Sequence, residues 1–508
     1  MKIVNRFALI LGAALVAVDQ SAHATQPPDV VTSDSNSNTA MGRDVLLDLT
    51  TGYNNTASGV AALLSNLAGG NNTASGVVAL FSNTTGDNNT AFGAWGLYLN
   101  DSGNNNTALG YSALIYNLGG NNNTASGYQA LFGAQVPDGG FGGSNNTGIG
   151  SNALYSYSSG SNNTASGMNA LYFNTTGNDN TAAGYYALAG AQITENDFEG
   201  ATGSNNTGVG AYALFSYSTG GSNTASGYGA LYSSTTGSNN TASGVNALFS
   251  NTTGNSNTAS GQGALDSNMT GSSNVASGFD ALYSNTAGNS NTASGVGALR
   301  SNTTGSDNIA EGYQAGYYLT TGGSNIDIGN AGMAADNGII RIGTSRPKAL
   351  QTATYIAGIY NVPLSGNAVV VTPSGQLGVV VSSERFKTGI TLIGPSSSKL
   401  EQLRPVMFHL KSDPKGALQY GLIAEEVAKI YPELVIRDEK GRIDGVRYDE
   451  LTPMLLNEMQ QQQLKIAAQD QHSASQDAQI SQLRGQLASL QAALATLQTA
   501  KDDGVGQR

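Results

Sequence analysis

The 508-residue sequence contains no cysteine, three histidines, one tryptophan and only 11% charged residues. The absence of cysteine excludes disulfides, thiolate metal sites and cysteine nucleophiles. The histidines, His23, His409 and His472, are too few and too scattered for a histidine metal cluster or a Ser-His-Asp triad. A net charge of -12 argues against binding nucleic acid through bulk charge. We therefore expect neither a metal nor a cofactor.

The first 24 residues have the pattern of a secretory signal peptide. Lys2 and Arg6 form a basic start, residues 7–18 an apolar run, and Ala22-His23-Ala24 a small-x-small cleavage site. The apolar run is too short to span a bilayer comfortably, which argues against the alternative of an uncleaved anchor. The mature chain is expected to begin at Thr25 and to be secreted or displayed at the cell surface, with no further membrane span. An export signal of this kind suggests a bacterial protein.

Internal repeats fill residues 52–330, after an N-terminal segment at 25–51. Sixteen glycines, here called marker glycines, close motifs similar to Asn-x-Thr-Ala-Ser-Gly, and their usual spacing is 17 residues. The spacing grows only where insertions occur, at 133–143 and 190–203. A fixed period with local insertions is typical of a solenoid, and we predict coils of two short strands each. The marker glycines are Gly59, Gly76, Gly93, Gly110, Gly127, Gly150, Gly167, Gly184, Gly210, Gly227, Gly244, Gly261, Gly278, Gly295, Gly312 and Gly329.

Two columns of the repeat predict how the coils pack. The third residue after the marker glycine is Ala, and the fourth is Leu, in 14 of the 16 units. Because neighbouring strand residues point to opposite faces, we expect the Leu column to form the core and the Ala column to face outward. One leucine per coil is a thin core, since its burial contributes about 1.5 to 3 kcal/mol whereas ordering one residue costs about 1 to 2. Packing three chains through their Ala faces would compensate, so the pattern predicts a homotrimer.

Nine aromatic residues between Phe81 and Tyr283 occupy the fifth position after a marker glycine. We expect them on the Ala side, packed between subunits, with a carbohydrate-stacking stripe as the alternative. They are Phe81, Tyr98, Phe132, Tyr155, Tyr172, Phe215, Tyr232, Phe249 and Tyr283.

The second insertion carries three carboxylates, Glu195, Asp197 and Glu199. Loops on a rigid scaffold are common binding sites, so these groups could hold a cation. A solvated acidic loop is the alternative, and we favour it.

The repeat region resembles the parallel β-roll heads of trimeric autotransporter adhesins, on its small-residue and glycine pattern (here Thr56-Ala57-Ser58-Gly59). The resemblance covers residues 52–329 and is one of pattern, with a different period. Such adhesins end in membrane barrel strands, whereas this sequence ends in a polar segment at 501–508. The resemblance therefore implies a trimeric surface fibre and not autotransport.

Composition changes after the repeats. Residues 51–300 hold one basic and nine acidic residues, whereas residues 382–508 hold 15 basic and 16 acidic. Between these regions, a β-rich neck is predicted at 331–381, with strands at 339–342 and 354–359 and a hairpin pairing 368–372 with 377–381. A small α+β domain is then expected at 382–454.

A serine and a lysine five residues apart begin this last domain, in Ser382-Ser383-Glu384-Arg385-Phe386-Lys387. Four further motifs follow in order: Leu403-Arg404-Pro405-Val406, Tyr420-Gly421-Leu422-Ile423-Ala424-Glu425-Glu426-Val427, Tyr431-Pro432-Glu433 and Val446-Arg447-Tyr448-Asp449-Glu450-Leu451. Together they closely resemble the self-cleaving intramolecular chaperone domain of endosialidases and other phage tail spikes. The resemblance implies that Ser382 and Lys387 form a Ser-Lys dyad, with Ser383 where the family has Asp.

The chemistry of such a dyad needs no histidine. A serine hydroxyl becomes a nucleophile when a base takes its proton, and a lysine can be that base if burial or a nearby cation lowers its pKa. Arg385 is close enough in sequence to supply such a charge. We expect Ser382 to attack the carbonyl of Val381, so that hydrolysis of the resulting ester separates residues 25–381 from 382–508. An uncleaved trimerisation cap is the alternative.

The region 455–500 is predicted to be a trimeric coiled coil. A heptad places apolar residues at the last six a and d positions, whereas the middle positions Gln462, Gln469, Ser473 and Gln476 are polar. The six are Ile480, Leu483, Leu487, Leu490, Leu494 and Leu497.

Two function classes follow from these features. The preferred one is a mainly β, secreted trimeric fibre, which attaches to a cell-surface or glycan receptor and whose C-terminal domain templates folding and then cleaves itself off. The alternative is an ice- or surface-binding solenoid with a non-cleaving cap, because the threonine column that starts at Thr56 presents regularly spaced hydroxyls. A glycan hydrolase is not supported, since the repeats offer almost no paired carboxylates.

Overall fold

The computed structural model describes residues 32–133, 142–190, 200–344, 351, 369–372, 375–438 and 440–504. Predictions for the signal peptide, for the strand at 354–359 and for Glu195, Asp197 and Glu199 fall outside these residues. The chain divides into two compact units, Met1–Leu364 and Ser365–Arg508.

The first unit is a parallel β-solenoid, as the repeat predicts. Within the described residues, a short strand β1 (Thr32–Ser33) pairs antiparallel with the first of eighteen parallel strands, and these stack coil on coil with threonine opposite threonine and alanine opposite alanine in most pairs. The sheet starts one coil before the predicted repeat and ends in residues predicted for the neck. The parallel strands are β2 (Thr39–Met41), β3 (Thr56–Ser58), β4 (Thr73–Ser75), β5 (Thr90–Phe92), β6 (Thr107–Leu109), β7 (Thr124–Ser126), β8 (Thr147–Ile149), β9 (Thr164–Ser166), β10 (Thr181–Ala183), β11 (Thr207–Val209), β12 (Thr224–Ser226), β13 (Thr241–Ser243), β14 (Thr258–Ser260), β15 (Val275–Ser277), β16 (Thr292–Ser294), β17 (Ile309–Glu311), β18 (Ile326–Ile328) and β19 (Ile340–Ile342).

Each coil of the repeat contains one strand, and the prediction of two strands per coil is wrong. After the marker glycine the chain forms turns, in which the second and fourth residues have left-handed backbone, as in Asn246 (φ 56°) and Leu248 (φ 54°). The left-handed conformation costs a leucine about 1 to 2 kcal/mol. Complete burial of the side chain offsets this cost with about 1.5 to 3 kcal/mol.

The Ala column lies inside the solenoid, so the prediction that it faces outward is also wrong. In the coil of Gly244, Ala242, Ala247 and Leu248 are all 0% exposed within a single chain. Left-handed residues break the alternation of a strand, and consecutive side chains can therefore both point inward. With three buried apolar side chains per coil, a thin core no longer argues for a trimer.

A column of buried asparagines, four residues before the marker glycine, joins every coil to the next. Asn257 donates its backbone N–H and its side-chain amide to Oδ1 of Asn240, at 2.9 and 3.1 Å. The same amide donates to the carbonyl of Gly271 at 2.8 Å. The pattern recurs from Asn55 to Asn325, so the asparagines of this column are paired with each other and with backbone.

A second asparagine column, seven residues after the marker glycine, is interrupted at the insertions, and tyrosines fill the gaps. In both coils that carry insertions, the residue at this position is alanine. In the coil that follows each of them, the residue at this position is a tyrosine, Tyr157 or Tyr217. Both tyrosines are 0% exposed, and their hydroxyls donate to Oδ1 of Asn117 and Asn174 at 3.2 and 2.7 Å. Burial raises the pKa of both hydroxyls, which keeps them protonated as donors.

The fourteen marker glycines from Gly59 to Gly295 are required by the stacking of the coils. Gly244 has a φ of 137°, and a Cβ placed there would lie 2.6 Å from the carbonyl oxygen of Gly261 in the next coil. Any other residue would push the coils apart.

The aromatic column lies on the surface of the solenoid, outside its Ala-lined core, contrary to the prediction that it shares the Ala side. Its rings stack along the coils, with centroids 4.8 Å apart between Phe132 and Tyr155 and 4.9 Å apart between Tyr155 and Tyr172. Because the ring faces cover one another, only their edges are free, and the stack does not favour the carbohydrate-stacking alternative.

The second unit is a small β and helical region, as predicted. The predicted hairpin is present, with β20 (Val369–Val371) antiparallel to β21 (Leu377–Val379). Two more antiparallel pairs follow, with helices α1 and α2 packed around a core of Val427, Tyr431, Leu434, Val435 and Leu451. The remaining elements are β22 (Val406–Phe408), β23 (Gln419–Gly421), β24 (Val435–Arg437), β25 (Ile443–Val446), α1 (Ala424–Ile430), α2 (Tyr448–Gly504) and one-turn 3-10 helices at Glu384–Phe386, Gly394–Ser397, Leu400–Gln402 and Pro432–Leu434. Among the described helices, none is both long and apolar enough to cross a membrane.

An aspartate replaces the strand alanine in the last full coil. Asp327 is 1% exposed, and neither carboxylate oxygen has a hydrogen-bond partner. Its neighbours Asp336 and Arg341 pair with each other, with Nε 2.6 Å from Oδ2. Burial first, and the charge of Asp336 second, raise the pKa of Asp327 from 3.8 to about 6, against an opposing effect of Arg341.

The asparagine column should be a main source of solenoid stability. We predict that Asn274→Ala lowers the free energy of unfolding by about 2 to 5 kcal/mol, because it leaves the carbonyl of Gly288 and the N–H of Asn291 buried without their side-chain partner. The exposed Asn255→Ala is the matched control and should change it by less than about 1 kcal/mol. Urea unfolding of both variants measures the difference, and equal effects would contradict the role of the column.

Asp327 should make the solenoid less stable at high pH. The folded chain holds the proton more tightly than the unfolded chain, so the free energy of unfolding falls as the pH rises from about 4 to about 6 and stays low above that. We predict a loss of roughly 2 to 3 kcal/mol, which Asp327→Asn abolishes and the exposed Asp307→Asn retains. Urea unfolding at pH 4 and 8, in a Ser382→Ala background, gives the comparison, and an unchanged pH dependence in Asp327→Asn would refute it.

Candidate functional site

The predicted dyad residues meet in the folded chain. The Nζ of Lys387 donates a hydrogen bond to Oγ of Ser382 at 3.1 Å. The intervening residues form the 3-10 turn Glu384–Phe386, in which the N–H of Phe386 donates to the carbonyl of Ser383 and the N–H of Lys387 to that of Glu384. This single turn brings together two side chains that are five residues apart.

The bond predicted to be cut directly precedes this turn. Val381 and Ser382 follow the end of β21 at Val379 by two and three residues. Val381 is 54% exposed, and Ser382 and Lys387 are exposed as well. Within one chain the site is therefore open to water.

Arg385, the predicted supporting residue, stacks on its neighbour. Its guanidinium carbon lies 4.6 Å from the ring centroid of Phe386. A contribution of this charge to the dyad stays a prediction.

The sequence motifs that follow the dyad contact one another. Arg404 pairs with Glu426 through two hydrogen bonds, at 2.6 and 3.1 Å, and this pairing lowers the pKa of the Glu426 carboxyl. The hydroxyl of Tyr448 accepts the N–H of Leu422 at 2.7 Å. Three motifs that are distant in sequence thus form one hydrogen-bonded unit around α1.

A second set of contacts joins the segment that follows the dyad to this unit. The sequence did not predict these contacts. The hydroxyl of Tyr431 accepts the N–H of Lys399 and donates to the carbonyl of Ser396, both at 3.1 Å. Asn457 of α2 donates to the carbonyl of Gly394 at 2.7 Å and to Oγ of Ser397 at 2.6 Å. Single serine and asparagine residues carry no pattern that would reveal these contacts.

His409 has a structural contact. Its Nδ1 lies 3.0 Å from the carbonyl oxygen of Gly416, within the loop that joins β22 to β23.

Hydroxyls on the outward face of the strands are regular in the threonine column and irregular in the serine column. Threonine and serine flank the buried alanine in many strands, but Phe92, Leu109, Ile149 and Val209 replace the serine in four of them. The threonine column, in contrast, is unbroken from Thr56 to Thr258 and is interrupted further on by Val275, Ile309 and Ile326, so the hydroxyl spacing of the ice- or surface-binding alternative is present over these coils.

Comparison with known families finds a match in the C-terminal domain. The family described as the chaperone of endosialidase matches residues 382–436, which begin at the dyad serine and end in β24. No curated protein and no solved structure gives a match. The match confirms the resemblance predicted from the motifs of the C-terminal domain.

Proposed function

We propose that this protein is an exported fibre of three identical chains, whose C-terminal domain templates assembly and then removes itself by cutting before Ser382. The hydrogen bond between Lys387 and Ser382 carries this proposal, because it lies at the start of the segment that matches the chaperone of endosialidase. The signal-peptide pattern of residues 1–24 supports export. Receptor attachment at a cell surface or glycan is the role proposed for the fibre.

The proposed cut proceeds in two steps. Lys387 takes the proton of the Ser382 hydroxyl, and Oγ attacks the carbonyl carbon of Val381. The C–N bond breaks, its nitrogen takes the proton from Lys387 to become the α-amine of Ser382, and an ester joins Val381 to Oγ. Water then hydrolyses the ester, which leaves a carboxylate on Val381 and restores the hydroxyl.

The open position of the dyad links cutting to assembly. A lysine acts as a base near neutral pH when its ammonium form is destabilised by loss of water or by a neighbouring cation. Since Ser382 and Lys387 are exposed in the single chain, we propose that adjacent chains supply the burial. Cutting would then follow assembly, so that no chain loses its template early.

Helix α2 supplies a reason for the chains to associate. It has 57 residues, and after its first turns its side chains are exposed up to residue 500, including Leu487 (57%) and Leu490 (66%). Exposed leucines at a and d positions are typical of a coiled-coil seam. We propose that three copies of α2 form this seam.

The template would solve a problem that the repeats create. A slip of one coil between two chains leaves the same residue types in contact along almost the whole shaft, so the repeats alone discriminate poorly between registers. Bringing three chain ends together at one fixed point removes this freedom. After assembly the shaft would persist without the template, because separating the packed chains is slow.

Cleavage is predicted to divide the mature chain into two fragments. From 51.8 kDa for 508 residues, residues 25–381 and 382–508 should migrate at about 36 and about 13 kDa on a denaturing gel. Ser382→Ala and Lys387→Ala should each leave one band. Lys387→Arg should also remain uncut, since arginine keeps the hydrogen-bond donor but cannot act as a base.

Two further variants test the assignment of the nucleophile and the link to assembly. Ser383→Ala should be cut like the wild type, and a block there but not at Ser382 would show that the nucleophile is misassigned. Leu487→Asp combined with Leu490→Asp should prevent cutting, whereas Gln486→Asp, outside the seam, should not. Full cutting by a monomeric double variant would contradict the link to assembly.

The template role predicts a difference between two preparations of the same shaft. Residues 25–381 released by cleavage should form a trimer with one sharp thermal transition. The same residues expressed alone should aggregate or melt over a broad range, because their registers are mixed. Identical yield, oligomeric state and melting in the two preparations would refute the template role even if cleavage occurs.

A further inference from the structure

A line of exposed apolar side chains follows the marker glycines along the solenoid. We call the residues immediately before and after the marker glycines from Gly59 to Gly329 the glycine edge. Fourteen of its large apolar members have exposed fractions between 39% and 55%, and Tyr313 reaches 72%. The fifteen are Val77, Phe92, Leu109, Tyr111, Tyr128, Ile149, Met168, Tyr185, Val209, Tyr228, Val245, Phe279, Val296, Tyr313 and Ile328.

Nearly every coil has a large apolar residue next to its marker glycine, but this residue precedes the glycine in some coils and follows it in others. Most coils have a small residue before the glycine and a large apolar one after it, as in Ser243-Gly244-Val245. Where the residue after the glycine is small or polar, the one before it is large in four coils: Phe92-Gly93-Ala94, Ile149-Gly150-Ser151, Val209-Gly210-Ala211 and Ile328-Gly329-Asn330. Among the sixteen coils only Ser260-Gly261-Gln262 lacks a large apolar residue. Such compensation indicates that each coil needs an apolar group at this edge.

Charge is nearly absent from the same edge. None of the sixteen residues after a marker glycine is charged, and Glu311 is the one charged residue among those before it. Charge is scarce along the whole repeat, with ten charged residues among residues 51–300, so the large apolar group in nearly every coil is the feature that distinguishes this edge.

The size of the edge fits an interface between proteins. Sixteen coils rising about 4.8 Å each give a length of about 75 Å, and a width of about 10 Å gives an area of about 750 Å². This exceeds the largest apolar patch of most monomers, about 300–600 Å², and approaches the roughly 800 Å² that one partner buries in a standard interface.

We infer that the glycine edge is the surface through which copies of this chain pack along the shaft. The partner must present apolar groups at the coil spacing over the full length of the solenoid, and a second copy in parallel register does so. Around a threefold axis, each residue would meet its own counterparts at the same height. This inference deepens the proposed function and rests on its assembly of identical chains, but it assigns a face that the buried Ala column cannot provide.

Cross-linking at single cysteines tests the assignment in the full-length chain, which has no cysteine of its own. Val245→Cys lies on the glycine edge, and Thr253→Cys lies in the same coil at an exposed turn away from it. With a short bis-maleimide, Val245→Cys should give cross-linked dimers on a denaturing gel as the main product. Thr253→Cys should remain monomeric on the gel, although light scattering should show the same trimer for both.

The outcomes separate this inference from the proposed function. A trimer that cross-links through Thr253→Cys, or equally through both positions, would overturn the glycine edge as the interface and leave the assembled fibre intact. A trimer that cross-links through neither position would also overturn it, because symmetry about the glycine edge brings the copies of residue 245 together. A monomeric full-length chain would overturn both proposals.

Discussion

The buried asparagine column is the interaction on which the rest of the solenoid depends. Each asparagine is hydrogen-bonded to both adjacent coils, as Asn257 is to Asn240 through its backbone N–H and its side-chain amide and to Gly271 through the same amide. These bonds form only when equivalent atoms of successive coils lie at equivalent positions. The coil length is therefore held at 17 residues, and extra residues can leave only as loops. Where the insertions interrupt the second asparagine column, the side chains of Tyr157 and Tyr217 extend across the altered coil. Their hydroxyls replace the hydrogen bonds that the column lacks there.

Because the coils are so regular, chains that pack side by side can be aligned in several registers. Every coil repeats the same polar core and, on its glycine edge, nearly the same apolar group, so two copies shifted by whole coils still match closely. A non-repetitive element is needed to select one alignment, and the C-terminal unit with its exposed helix α2 has that character. Because its dyad is open in the single chain, we propose that neighbouring chains complete the site, so that removal of the template would follow correct assembly.

The sequence was sufficient for the features that depend on period and local pattern. The solenoid, its buried Leu column, the hairpin of β20 and β21 and the contact of Ser382 with Lys387 all follow from spacing or from recognisable motifs. The inward Ala column did not follow, because Leu248 and its equivalents adopt a left-handed backbone that ordinary propensities disfavour. Contacts such as Tyr217 with Asn174 join residues 43 positions apart across an insertion, and only the stacked structure brings them together.

We propose that the C-terminal unit sets a single register of three chains along the glycine edge. Distances between spin labels on the three copies of Thr253→Cys test it most directly, in shaft released by cleavage and in residues 25–381 expressed alone. We expect one narrow distance distribution for the released shaft. For the shaft made alone we expect a broad distribution that extends to longer distances, because shifted copies are further apart along the axis. The same narrow distribution in both preparations would contradict it.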